Sequence, residues 1–258
     1  MVEAHKFKIL ISDGLTKEGI NKLNSFSNFE LTVRDKTSNE ELCEIIEYYD
    51  GIIVRSATRL TSDVIQLAKK LKVIVRAGTG YDNIDIEECN KKGIVVLITP
   101  LGNSNAVIEL TIGLMLNFAR NVNKANDSMR EGKWDKKFLR GSELQGKTVG
   151  IIGLGNIGAG VAKKCHAFNM KVIAFDRFVP KKRGQDLGVE LLDDFDDFLT
   201  RSDYITIHVP LTAQTKDLIS YSEIEKMKRT VVLINVARGG VVNEHALYDA
   251  LRNNKIGG

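Results

Sequence analysis

An α/β protein made of two doubly wound parallel-sheet lobes is the architecture to expect, and three observations lead to it. Short β-branched apolar runs alternate with helix-period segments through residues 1–100. After a polar stretch, the same alternation resumes. The chain has 258 residues, more than one ordinary domain of about 150 residues accounts for.

The strand candidates of the first lobe are residues 7–11, 29–33, 51–54, 73–75 and 94–98. They are nearly continuous in apolar residues, which predicts burial on both faces. From Asn103 the pattern turns helical, with Ser104 as an N-cap candidate. Apolar residues surround 106–119 on nearly all sides, as in a buried helix or one at an interface. A basic stretch, 124–147, carries the only tryptophan, Trp134, near Lys136, Lys137 and Arg140. Strand candidates then return at 148–152, 171–175, 204–207 and 231–235. This places a first lobe at 1–100 and a second at 101–258. With three prolines and no Gly/Ser linker, the lobes are expected to pack together.

Composition narrows the function classes. Apolar residues make up 43% and charged residues 27%, a globular mix that excludes disordered and collagen-like chains. The net charge of +4 is dispersed, so no cationic stripe for nucleic acid is expected. Cys43, Cys89 and Cys165 are far apart and lack zinc-site spacing, which reads as three reduced thiols. The start has no signal-peptide run, and no segment reaches the ~20 apolar residues of a membrane span. A cytoplasmic protein with no membrane partner is expected.

The strongest local signal is Thr148-Val-Gly-Ile-Ile-Gly153-Leu-Gly155-Asn-Ile-Gly158, a strand opening into a glycine loop and then a helical pattern at 159–168. Gly153 permits a tight turn, Gly155 lets backbone approach a pyrophosphate, and Gly158 lets helix and strand pack closely. N–H groups at the helix start, with the positive dipole end, would hold the anion. The next strand ends in Asp176, at the ~20-residue spacing of an acid that binds the adenosine ribose. NAD is therefore expected over NADP. Arg177 beside the acid leaves contact with a 2′-phosphate open.

Ligands of open α/β sheets bind outside the carboxyl ends of strands. Arg55, followed by Ser56, and Arg76, followed by Gly78, Thr79 and Gly80, end two first-lobe strands, and the glycines would let backbone N–H groups face a ligand. Arg238, on a glycine turn, and His208, before Val209 and Pro210, end two strands of the second lobe. Three arginines, whose planar forks suit carboxylate or phosphate, predict a small anionic substrate.

Taken with Val54-Arg-Ser-Ala-Thr58, Arg76-Ala-Gly-Thr-Gly-Tyr-Asp-Asn-Ile-Asp85, Gly102-Asn-Ser104, Gly132-Lys-Trp134 and Asn235-Val-Ala-Arg-Gly-Gly240, the glycine loop resembles the D-isomer-specific 2-hydroxyacid dehydrogenases over nearly the whole chain. The resemblance implies a flavodoxin-like substrate lobe hinged to a Rossmann NAD-binding lobe. It implies that catalytic Arg238 holds the substrate carboxylate and carbonyl, and that Arg55, Ser56, Arg76, Gly78 and Asn103 line the substrate side. Thr79, Gly153, Gly155, Asn156, Ile157, Gly158, Asp176, His208, Val209, Pro210, Val236 and Ala237 would surround the cofactor. The helix at 105–120 and the Trp134 segment look like the family's dimer region, implying a homodimer or homotetramer.

The activity implied is NAD-dependent oxidation of a small 2-hydroxy acid, with 3-phosphoglycerate first because the arginines suit a dianion. A glyoxylate, hydroxypyruvate or other 2-keto acid reductase is the alternative. The family also uses a histidine as acid or base and a glutamate that raises its pKa. The resemblance places both past Gly258. The chain is thus expected to be incomplete, with the tail 253–258 standing where a further buried strand would start and an edge that needs pairing. His5, His166 and His245 read as surface or structural, and His208 as cofactor-side. A catalytically dead NAD(H)-binding sensor is the remaining alternative.

Overall fold

The computed structural model describes residues 6–258; His5 lies outside them. Two compact units divide at Asn103 and Ser104.

The first unit runs β1 (Phe7–Ile11), α1 (Lys17–Asn24), β2 (Phe29–Val33), α2 (Asn39–Ile45), β3 (Gly51–Val54), α3 (Ser62–Leu67), β4 (Val73–Arg76), α4 (Ile86–Lys92) and β5 (Val95–Ile98). All five strands are parallel in the order β2-β1-β3-β4-β5, the flavodoxin-like winding with its switch point between β1 and β3. Leu10, Ile52 and Ile74 from the sheet and Leu42, Ile46, Val64 and Ile65 from the helical segments form one core. Helix starts follow the local chemistry: Ser38 and Glu41 close a capping box on α2, and Asp85 accepts from the Glu88 N–H at the start of α4. β5 departs from the expected two-sided burial. It is an edge strand, and Val95 and Leu97 share a face that remains 55% and 50% exposed, while Val96 packs on the core.

Lys92, the last residue of α4, closes the far end of α3. Its ammonium donates to the carbonyls of Ile65 (2.9 Å), Gln66 (2.6 Å) and Ala68 (3.3 Å). The Ile65 carbonyl also accepts the Ala68 N–H (3.1 Å), but past Leu67 the helix does not continue to supply further donors, and a cation there also meets the negative dipole end. Lys92→Met should lower unfolding stability by about 1 kcal/mol in a urea titration. An unchanged midpoint would show that water replaces the ammonium without loss.

The second unit runs α5 (Ser104–Arg120), α6 (Val122–Arg130), β6 (Thr148–Ile152), α7 (Asn156–Ala167), β7 (Lys171–Phe175), α8 (Lys181–Leu187), β8 (Glu190–Leu192), α9 (Phe195–Arg201), β9 (Tyr204–Ile207), α10 (Tyr221–Lys226), β10 (Val232–Asn235) and α11 (Glu244–Arg252). Its sheet, also all parallel, has the order β10-β9-β6-β7-β8. Counted from β6 this is the Rossmann order 3-2-1-4-5. The core has two sides, one built on Met115, Val161 and Val149, the other on Phe198, Ile205 and Ile224. Residues after α11 turn beside β10: the Gly257 N–H donates to Val231 (2.9 Å), and the Leu233 N–H to Gly258 (2.8 Å). The tail thus stands where a further strand would start, while β10 remains the edge strand of its sheet.

Two further expectations change. Ser104 is the first helical residue of α5 and is buried; the preceding turn enters the helix earlier than its side chain suggested. α5 is also one-sided, burying Ile108, Thr111, Met115 and Ala119 and leaving Leu110, Leu114 and Phe118 exposed. Among the described residues, no helix is long and apolar enough to cross a membrane. The three cysteines are free, and burial pushes the thiols of Cys89 and Cys165 up to about 11 and about 12.

Candidate functional site

In the second unit, the chain leaves β6 through Gly153, whose φ of +90° favours glycine. A Cβ there would also meet the His208 carbonyl oxygen at 2.9 Å. A Cβ on Gly158 would lie 2.0 Å from the Gly153 oxygen, so α7 can start against β6 only with glycine at this position. Gly155 differs: nothing lies within 4 Å of its missing Cβ, and it stands at the N-cap of α7 without a side-chain cap. Space and uncapped N–H groups thus meet at the start of a 12-residue helix, which suits a pyrophosphate. α7 begins at Asn156, earlier than the helical pattern indicated.

Asp176 directly follows β7, at the strand end where it was expected, and does more than await a ribose. Its Oδ2 accepts from the Leu154 N–H (2.8 Å), and its Oδ1 from the N–H groups of Phe178 (2.9 Å) and Val179 (3.2 Å). With two lone pairs per oxygen, Oδ2 keeps one acceptor position for a ribose hydroxyl. On the other side of the same residue, Arg183 Nε donates to the Leu154 carbonyl at 2.8 Å. The glycine loop is therefore held by an acid just past β7 and an arginine from α8. Sequence reading missed Arg183, because a basic residue in a short polar helix gives no sign of its target. Arg177 lies over the Phe175 ring, 5.6 Å from the centroid.

His208 follows β9, its N–H bonded to Ile152 (2.8 Å), which fixes it beside the glycine loop. Its Nε2 is 3.0 Å from the buried Thr206 hydroxyl, and its Nδ1 is buried without a partner. Burial pushes its pKa down from 6.5 to about 4. The ring is neutral at pH 7 and holds no acidic proton to give. Because the folded pKa lies below the unfolded one, the unfolded chain binds the proton first. Stability is full above pH 6.5 and falls toward pH 4, by up to about 3 kcal/mol. Unfolding titrations across that window should show this slope, reduced in His208→Gln. An equal slope in the variant would assign it to other groups.

Arg238 sits on the turn after β10. Asn235 closes the turn, accepting from the Ala237 N–H (3.0 Å) and donating to the Arg238 carbonyl (2.9 Å), and Arg238 Nη1 bonds the Ala237 carbonyl at 2.8 Å. Val236 and Ala237 lie within this turn, and Val209 and Pro210 follow His208.

In the first unit, Arg55 and Ser56 are exposed on the loop after β3. Thr79 donates to Asn103 Oδ1 at 2.9 Å, joining a residue expected on the cofactor side to one expected on the substrate side. Arg76 and Gly78 need correction. Arg76 is the last residue of β4, only 9% exposed, and its guanidinium occupies the space where a Cβ on Gly78 would be, 1.8 Å from Nη1. The Gly78 N–H donates back to the Arg76 carbonyl at 2.8 Å. Gly78 therefore makes room for a buried arginine and does not turn its N–H toward a ligand.

A family model, D-isomer specific 2-hydroxyacid dehydrogenase, NAD binding domain, matches residues 112–258. The chain belongs to the D-isomer-specific 2-hydroxyacid dehydrogenase family. Among the chain's relatives, a D-3-phosphoglycerate dehydrogenase of Methanocaldococcus jannaschii is 47% identical over 249 residues, 96% of this chain and 47% of the relative. A hydroxypyruvate reductase of Thermotoga maritima is 45% identical over 251 residues, 97% of this chain and 80% of that protein. The crystal structure of a D-lactate dehydrogenase from Aquifex aeolicus, complexed with NAD and lactic acid, superposes with a TM-score of 0.88 at 29% identity, covering 97% of this chain and 75% of that one. The chain spans about half the length of the D-3-phosphoglycerate dehydrogenases it matches. NAD is its cofactor, and the open space at Gly155, the uncapped start of α7 and the remaining acceptor on Asp176 fit it.

Proposed function

We propose that this dehydrogenase oxidises 3-phosphoglycerate at C2 to 3-phosphohydroxypyruvate, the oxidation that opens serine synthesis. The nicotinamide, when bound, accepts the hydride from C2; the hydroxyl proton goes to a base. The observation that carries the reading is the pairing of an NAD loop with the Arg238 turn, in a chain 47% identical to a D-3-phosphoglycerate dehydrogenase. Asp176 would take a ribose hydroxyl, α7 the pyrophosphate, and Arg238 the substrate carboxylate and carbonyl. Arg55, Ser56 and Asn103 supply the substrate-side polar groups.

None of the described histidines is set up as the base. His208 is neutral and bonded to Thr206, His166 Nε2 is 3.1 Å from the Leu187 carbonyl, and His245 lies in the first turn of α11. The reading therefore requires a proton acceptor from elsewhere in the protein. The hydroxypyruvate reductase relative supports a second reading, reduction of an unphosphorylated 2-keto acid. NADH absorbance should rise with 3-phosphoglycerate and NAD in the complete gene product, and fall with 3-phosphohydroxypyruvate. Faster turnover of hydroxypyruvate or glyoxylate would favour the second reading. NADH binding with no turnover of any acid would leave a nicotinamide sensor. We also propose that a second copy covers Leu110, Leu114 and Phe118 of α5; sedimentation as a monomer would refute that.

A further inference from the structure

We propose that Asp13 and Asn83 are positioning residues that hold the loop carrying Arg55 and Ser56 from both sides; the functional part of this proposal rests on the reading of that loop as substrate-side. Asp13 follows β1 at the switch point of the first sheet, next to β3. Its Oδ2 accepts the Arg55 N–H at 2.5 Å and the Thr58 N–H at 3.1 Å, and its Oδ1 accepts the Thr58 hydroxyl. Asn83 closes the loop from the other side. Its Nδ2 donates to the carbonyls of Arg55 (2.8 Å) and Thr58 (2.7 Å).

Both clamping residues are themselves fixed. The Leu60 N–H donates to the Asn83 carbonyl (2.8 Å), and the Asp85 N–H returns to Leu60 (2.9 Å), a parallel bridge that ties residue 83 to the segment just past the loop. On the Asp13 side the proton order is forced. A carboxylate only accepts, so the Thr58 hydroxyl donates to Asp13 and accepts from Ser12, whose oxygen is 2.7 Å away and buried.

The first and last residues of the loop thus have their N–H and C=O groups engaged within the protein. The N–H groups of Ser56 and Ala57 have no partner among the described residues, and both residues are exposed. On a loop fixed at both ends, these two adjacent N–H groups and the exposed Arg55 side chain are the donors available to an anion. A carboxylate this close would repel such a ligand if it faced solvent. Asp13 instead directs its oxygens at three donors within the loop and so sets the direction of the loop.

The test uses the complete protein, with NADH and 3-phosphoglycerate as probes. Asp13→Ala and Asn83→Ala should each raise KM for the acid by about tenfold or more, with the NADH Kd within about twofold of wild type. Asp13→Asn should recover most of the loss, because its oxygen still accepts both N–H groups and its amide can donate to Thr58. Amide exchange at Arg55 and Thr58 should accelerate in Asp13→Ala while β4 stays protected. The proposal is overturned if KM is unchanged in both alanine variants, if NADH binding weakens in parallel, or if the two amides exchange as slowly as in wild type. Should the wild type turn over no acid at all, the functional reading fails separately, and the exchange at Arg55 and Thr58 still decides whether the clamp exists.

Discussion

Gly158→Ala should unfold more readily than wild type by about 3 kcal/mol and should show no measurable NADH binding. The new methyl would stand 2.0 Å from the Gly153 oxygen and 3.1 Å from Ile151 Cγ2. The first of these is a backbone atom, so no rotamer relieves it and α7 must move off β6. Gly155→Ala is the informative control. Its methyl meets no atom within 4 Å and its backbone φ is −71°, so the melting curve should match wild type. NADH affinity should nevertheless drop, because the methyl enters the space left for the pyrophosphate. The pair separates packing from ligand approach at two glycines of one motif. Wild-type melting and NADH affinity in Gly158→Ala would contradict the close helix–strand contact.

Asp176→Ala should weaken NADH binding about a hundredfold, the equivalent of roughly 3 kcal/mol. Two losses combine. The ribose would lose a charged acceptor, and the N–H groups of Leu154, Phe178 and Val179 would lose the group that gathers them. Arg183 would then hold the Leu154 peptide from one side only. NADPH should gain relative to NADH, since the carboxylate that repels a 2′-phosphate is gone while Arg177 remains. Titration of both nucleotides by fluorescence reads the two effects together. An NADH Kd within threefold of wild type would remove Asp176 from cofactor binding.

The sequence carried the parallel winding and the glycine loop well, because both depend on residue type at fixed local spacing. β1, β2, β3, β6 and β9 occupy the expected residues, and Asp176 directly follows β7. β8 escaped notice: Glu190–Leu192 is three residues long, too short for an alternation to register. The substrate-side arginines were only partly read. Arg55 is exposed, but Arg76 is buried by a contact two residues away that its position at a strand end did not reveal. Asp13, Asn83 and Arg183 were missed for a shared reason. Each bonds main-chain atoms of a loop distant in sequence, and a backbone target leaves no complementary residue type to recognise.

The row Leu110, Leu114 and Phe118 on α5 recurs every four residues, so it forms one ridge along the helix. With a second copy on that ridge, folding and association become a single equilibrium governed by mass action. Melting temperature would then rise with protein concentration. A polar substitution at Leu114 would flatten that dependence, because weaker association ties less of the stability to concentration, before it altered any property of the dinucleotide loop.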